Sequence, residues 1–163
     1  MILIQGDMEK FHEQLEQGAV PRAYRALLFY MKELRNHFKE MYPNYSVSSL
    51  YQGYMDMTYF AIFSQALKKR DLKIAIVFNY GEFRFEAWLA GRNREINHRY
   101  WELFMSRKWP EYRVVEPAKG VDSIVEYDLA QGFALGDANT LTATIEARTI
   151  SFIASMEDFL QNC

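Results

Sequence analysis

Residues 72–91, "LKIAIVFNYGEFRFEAWLAG", alternate in character on both sides of Gly81-Glu82. A period of two is strand patterning, and glycine at the first central position suits a two-residue type II′ turn. Such a turn sets Tyr80 opposite Phe83, Phe78 opposite Phe85, Ile76 opposite Ala87 and Ile74 opposite Leu89. All these residues are apolar or aromatic, so turn chemistry and hydrophobic pattern specify one register. The other face pairs Asn79 with Arg84, Val77 with Glu86 and Ala75 with Trp88. It is mixed: either a solvated surface or one wall of a polar pocket.

A tight hairpin requires antiparallel pairing. The flanking patterns are helical. Met8, Phe11 and Leu15 stripe a short helix over 7–17, with Asp7 as cap and Gly18 as stop. After Pro21, the residues Tyr24, Leu27, Met31, Leu34, Phe38 and Met41 recur at steps of three and four, which marks a long amphipathic helix. Pro43 closes it. "LYQGYMDMTYFAIF", residues 50–63, alternates as a strand, and "SQALKKR" reads as a helical turn. A helix over 93–108 begins at Asn93 and faces inward with Ile96, Tyr100, Leu103 and Phe104. "YRVVE" and "SIVEYDLA" are further strands. A final helix, about 138–161, is capped by Asp137 and striped by Ile145, Phe152, Ile153, Met156, Phe159 and Leu160. The expected fold is α+β: a mostly antiparallel sheet with a central tight hairpin, packed against N-terminal and C-terminal helices. Residues 1–163 carry no linker or repeat, so one domain is expected.

Cys163 is the only cysteine, so no intrachain disulfide can form and a reducing, cytoplasmic location is the default. The N-terminus lacks the basic start and apolar run of a signal peptide, and no apolar stretch is long enough to span a membrane. From Glu111 onward nine acids face three bases, whereas the first 110 residues hold sixteen bases and twelve acids. That mild asymmetry gives no concentrated basic face, so nucleic acid is not the expected partner.

The candidate site is "AGRNREINHRYW", residues 90–101. Arg92 and Arg94 flank a helix start, where free backbone N–H groups attract anions, and guanidinium groups suit carboxylate or phosphate. Asn97 and His98 follow within a turn. Trp88 and Tyr54 would supply a flat wall if they share the mixed face, with Arg84, Glu86 and Asp56 nearby. The bland alternative is a solvated first turn whose arginines pair with local acids.

Other chemistries are poorly supplied. His12, His37 and His98 have no metal-ligand spacing, and His98 alone adjoins other polar groups as a general-base candidate. Asp56 and Glu86 could hold Mg²⁺ as in a metal-dependent nuclease, but the lysine usual two residues after the acid is here Trp88. No nucleophile elbow or phosphate-binding glycine pattern occurs. No metal or cofactor is assigned.

The segments "YQGYMDMTYFAIF", "LKIAIVFNYGEFRFEAWLAGRNREINHRYW" and "LTATIEARTISFIASMEDFL" resemble a family of small bacterial proteins described only as a domain of unknown function. The resemblance implies a bacterial, cytoplasmic origin and brings no activity, cofactor or catalytic residue. Three functions are therefore compared. The first is a non-catalytic binder of a small anionic ligand, the second a metal-dependent hydrolase or nuclease using Asp56 and Glu86. The third is an interaction module that forms a homodimer through an apolar helix stripe or sheet edge.

Overall fold

The computed structural model describes residues 4–163. Helices α1 (Gln5–Gln17) and α2 (Ala19–Met41) lead into strands β1 (Ser46–Val47) and β2 (Met57–Phe63). A short α3 (Gln65–Lys68) precedes strands β3 (Leu72–Asn79) and β4 (Arg84–Gly91). Helix α4 (Arg94–Met105), strands β5 (Arg113–Val114) and β6 (Val125–Gln131) and helix α5 (Ala138–Gln161) complete the chain. The six strands form one antiparallel sheet in the order β1-β2-β3-β4-β6-β5. This is the α+β architecture that the sequence pattern predicts.

The β3–β4 register is the predicted one. Phe78 pairs with Phe85, Ile76 with Ala87 and Ile74 with Leu89, while Asn79 pairs with Arg84 on the other face. The turn differs. The loop has four residues, Tyr80–Phe83, and the left-handed residue is Phe83 (φ 53), not Gly81. Asn79 Oδ1 accepts the Glu82 N–H at 3.2 Å and closes the loop from the side. Loops of two and four residues leave the same residues facing each other, so the register survives the change of turn.

One sheet face is the core. Phe60, Ile62, Ile74, Ile76, Phe78, Phe85, Ala87 and Leu89 are all buried there. Above them lie Leu27, Met31, Leu34 and Phe38 of α2 and Ile145, Phe152 and Met156 of α5, all buried. These two apolar stripes are scaffolding, as their spacing predicts. Edge-to-face ring contacts tie the layers together, including Tyr30 on Phe85 at 5.7 Å. Phe104 of α4 stacks on Phe159 at 4.2 Å.

Several expectations are corrected. No residue of α1 is buried, and its stripe of Met8, Phe11 and Leu15 is 46–55 % exposed. The helix also starts before Asp7 and has no side-chain cap. Met41 and Leu103 lie at the surface. The strand expected over 50–63 begins only at Met57, because Gly53 (φ 74) and Met55 (φ 62) bend the chain out of extended geometry. No helix among the described residues is long and apolar enough to cross a membrane.

Candidate functional site

The second sheet face carries a half-open cleft of ≈ 290 Å³. Its floor is small-residue sheet: Ala75 and Val77 of β3 with Ala90 and Gly91 of β4. Tyr59 and Met57 of β2 stand on one side and Trp88 of β4 on the other. Lys73, Arg92 and Arg94 bring three cations, and Asp122 brings one acid. Asn93 and Asn97, from the start of α4, complete the rim.

Local sequence explains why the strand and helix meet here. Gly91 ends β4 directly against α4: a Cβ on it would lie 2.6 Å from Ile96 Cγ2 and 2.8 Å from Asn97 Oδ1. Asn97 is buried and exploits that closeness. Its Oδ1 accepts the Gly91 N–H at 2.6 Å, and its Nδ2 donates to the Asp122 carbonyl at 3.4 Å. One amide therefore pins the strand end, the helix and the loop after β5. Asn93 caps α4 by accepting the Ile96 N–H at 2.9 Å, and the Asn97 N–H goes to the Asn93 carbonyl. The first-turn N–H groups of Arg94 and Glu95 lie outside these bonds.

The cations are accessible. The Arg92 side chain is 70 % exposed, and its only ion pair among the described residues is with Asp71 at 3.5 Å. Exposed pairs of this kind are weak, so the guanidinium can exchange partners. Arg94 is exposed. Lys73 Nζ lies 5.9 Å from the centroid of the Tyr59 ring, within cation–π range.

The sequence-predicted residues divide between this cleft and its surroundings. Trp88, Arg92, Arg94 and Asn97 are brought together in it. His98 faces a smaller neighbouring pocket that also contains Arg94 and Asn97; it pairs with Glu102 at 3.3 Å and stacks on Trp101. Tyr54 is 88 % exposed in the bend before β2 and does not reach the sheet face. Asp56 belongs to the same bend. Its Oδ1 accepts the Tyr54 N–H at 2.8 Å, and this bond with one from the Met57 N–H holds its carboxyl below the usual range.

Arg84 and Glu86 lie beside the cleft in a charge network. Glu86 is 1 % exposed. It accepts from Arg84 Nε at 2.7 Å, Trp88 Nε1 at 2.8 Å and Asn79 Nδ2 at 3.3 Å. Asp128, its neighbour across β4–β6, accepts from Arg113 at 2.8 Å, and that bond holds its carboxyl below the ordinary range. A β-bulge at Phe85/Glu86 shifts the β4–β6 pairing and brings Asp128 opposite Glu86. The carboxylates expected to share a metal are thus occupied separately: Asp56 by backbone donors of a bend, Glu86 by arginine, indole and amide. Among the described residues no three His, Cys, Asp or Glu side chains are arranged to hold a metal ion.

Sequence reasoning missed Lys73, Tyr59 and Asp122. Lys73 has the parity of the mixed face, but no local pattern sets the β2–β3 register that brings Tyr59 beside it. Asp122 sits in a loop whose path no local pattern marks.

A larger groove, ≈ 780 Å³, runs between α2 and α5. Its central carboxylate, Glu146, is already paired. His37 Nε2 lies 2.7 Å from Glu146 Oε2, and the Tyr42 hydroxyl donates to Glu146 Oε1 at 2.7 Å. Burial pushes the Tyr42 hydroxyl up to about 12, with Glu146 adding to the effect. The smaller cleft, with Arg92 and Arg94 exposed and Lys73 half-buried, is the better candidate.

Fold and cleft together define an antiparallel α+β domain with a cationic, aromatic-walled recess on the sheet face away from its long helices. Residues 4–160 match the family described as Domain of unknown function (DUF7000), and the chain belongs to that family. No curated protein and no solved structure matches it.

Proposed function

We propose that the chain is a cytoplasmic, non-catalytic binder of a small anion seated in the β2–β4 cleft. The observation that carries this reading is the convergence of Lys73, Arg92 and Arg94 on one recess. Two first-turn N–H groups of α4 supplement them, where the helix dipole also favours negative charge. The exposed ion pair of Arg92 is cheap to replace with a ligand contact.

Thermal melts of the full chain with inorganic phosphate, citrate and acetate test the reading. A ligand that binds only the folded state stabilises by about 2.7 kcal/mol at a hundredfold excess over Kd. A double Arg92→Ala, Arg94→Ala variant should stay folded, within about 0.5 kcal/mol of the parent, and should lose the anion-induced rise in Tm. A rise that persists in the double variant would move the site elsewhere; no rise with any of the three would end the reading.

A second reading rests on α1. Ile4, Met8, Phe11 and Leu15 repeat at steps of four, three and four and are all about half exposed, the spacing of a helix–helix seam. A homodimer joined there would sediment as twice the chain mass at micromolar concentration, and a Phe11→Asp variant as one chain.

A further inference from the structure

We infer that the anion the cleft takes carries one planar aromatic ring, stacked between Tyr59 and Trp88. The inference rests on the anion-binding reading and adds the class of molecule.

Tyr59 stands on β2 and Trp88 on β4, with β3 between them. Two inter-strand steps, about 10 Å, lead from Tyr59 to Glu86, and Trp88 lies two residues further along β4, so the two backbones stand about 12 Å apart on the diagonal. Aromatic rings in contact have centroids about 4.5–7 Å apart. One inserted ring can therefore touch both walls, and two cannot fit side by side. The residues of β3 below this gap are Ala75 and Val77, which leave it open.

The walls are held in place before any ligand arrives. The Trp88 indole N–H is tied at 2.8 Å to Glu86, a buried carboxylate that Arg84 and Asn79 hold in turn. Tyr59 is backed by the Tyr51 ring, centroids 5.0 Å apart. Fixed rings lose little rotamer entropy on binding.

The cations lie at the same recess. Lys73 is next to Tyr59, and Arg92 and Arg94 stand where β4 passes into α4, beyond Trp88. A ring in the slot thus places a substituent within reach of positive charge. The volume, ≈ 290 Å³, falls at the bottom of the range for sites of drug-sized ligands. It suits a ring with one charged arm. A phosphate or a carboxylate would serve as that arm.

Isothermal titration of the full chain with four probes tests this. Adenosine 5′-monophosphate and indole-3-acetate carry rings; ribose 5-phosphate and acetate are their ringless counterparts. At least one ring-bearing anion should bind tenfold or more tightly than its counterpart, since stacking on aromatic side chains changes affinity by about that factor or more. The nucleotide leading would assign a phosphate arm, and indole-3-acetate leading a carboxylate arm. Tyr59→Leu should remove most of the ring's advantage, read as the ratio of ringed to ringless affinity in the same variant, so that any shift of Lys73 cancels. Trp88→Leu should do the same; because it takes a donor from buried Glu86, Tyr59→Leu is the decisive variant. Equal binding of ringed and ringless anions would overturn the ring and spare the anion site. No binding of any probe would overturn both. Tighter binding of a single-stranded oligonucleotide than of adenosine 5′-monophosphate would overturn the one-ring slot in favour of an extended stacking surface.

Discussion

The two faces of this sheet are built from the same three central strands and solve opposite problems. Toward α2 and α5, every inward residue from Phe60 to Leu89 is apolar and buried, and its partners are other rings and aliphatic chains. Toward the cleft, the buried residues are small or charged, and stability comes from pairing: Glu86 with Arg84, Trp88 and Asn79, and Asp128 with Arg113. The first face has nothing left to offer a ligand. The second is ordered by groups that stop short of the recess, so cations and rings remain available. Rigidity and availability are separated by one pleat.

That contrast can be broken in four places. Phe85→Ala removes a fully buried ring from the helix side and should cost about 3–5 kcal/mol in denaturant unfolding. Glu86→Ala, on the neighbouring residue and opposite face, should cost about 2–3 kcal/mol, because it takes the acceptor from the Trp88 indole N–H and the Asn79 amide and leaves Arg84 with Asp128 at 3.3 Å and Glu82 at 3.8 Å. A cost under 1 kcal/mol would show that the network behaves as an ordinary surface pair, and the contrast would collapse. Gly91→Ala should cost about 1–3 kcal/mol, since the new methyl meets Ile96 and Asn97. It should also weaken any anion response by displacing the start of α4.

The smallest effect concerns acid. Arg113 holds the Asp128 carboxyl below the usual range, with Arg84 and Arg148 contributing. A group depressed in the folded state contributes stability above its unfolded value, about 3.9, and loses it as pH falls through the folded value. Asp128 is more than a third exposed, so the contribution is at most about 1 kcal/mol. Parent and Asp128→Asn should therefore differ most in Tm at pH 5 and converge toward pH 2. A constant gap over that range would assign the effect to packing.

The legible parts of the molecule were those with a strict period and a known cover. The β3–β4 register followed from alternation alone and tolerated a wrong turn type, because Asn79 closes a four-residue loop of the same parity. The stripes of α2 and α5 were legible for the same reason. Alternation misled before β2, where Tyr54 and Asp56 continue the pattern through a bend set by Gly53 and Met55. Periodicity also identified the apolar side of α1 but carried no information on whether anything covers it. Of the segment 90–101, Arg92, Arg94 and Asn97 line the cleft, and charge, caps and a strand end made that segment stand out in the sequence. Lys73 and Tyr59 did not, because an isolated lysine or tyrosine on a strand carries no mark of the face it shares with a distant helix start.

The strand order has a kinetic consequence. β2, β3 and β4 follow one another along the chain and pair as neighbours, whereas β6 reaches β4 only after residues 92–124. Closing that longer excursion costs about 2 kcal/mol more entropy than closing the four-residue loop of the hairpin. The meander of β2–β4 is thus the early unit, and the 92–124 excursion with β6 the late one. The cleft straddles the boundary. Its aromatic walls and floor belong to the early unit, while Arg94, Asn97 and Asp122 belong to the late one. Elements that close last tend to open first, so the rim can breathe over a floor that stays folded. A ligand bridging the two would slow amide exchange in α4 more than in β3.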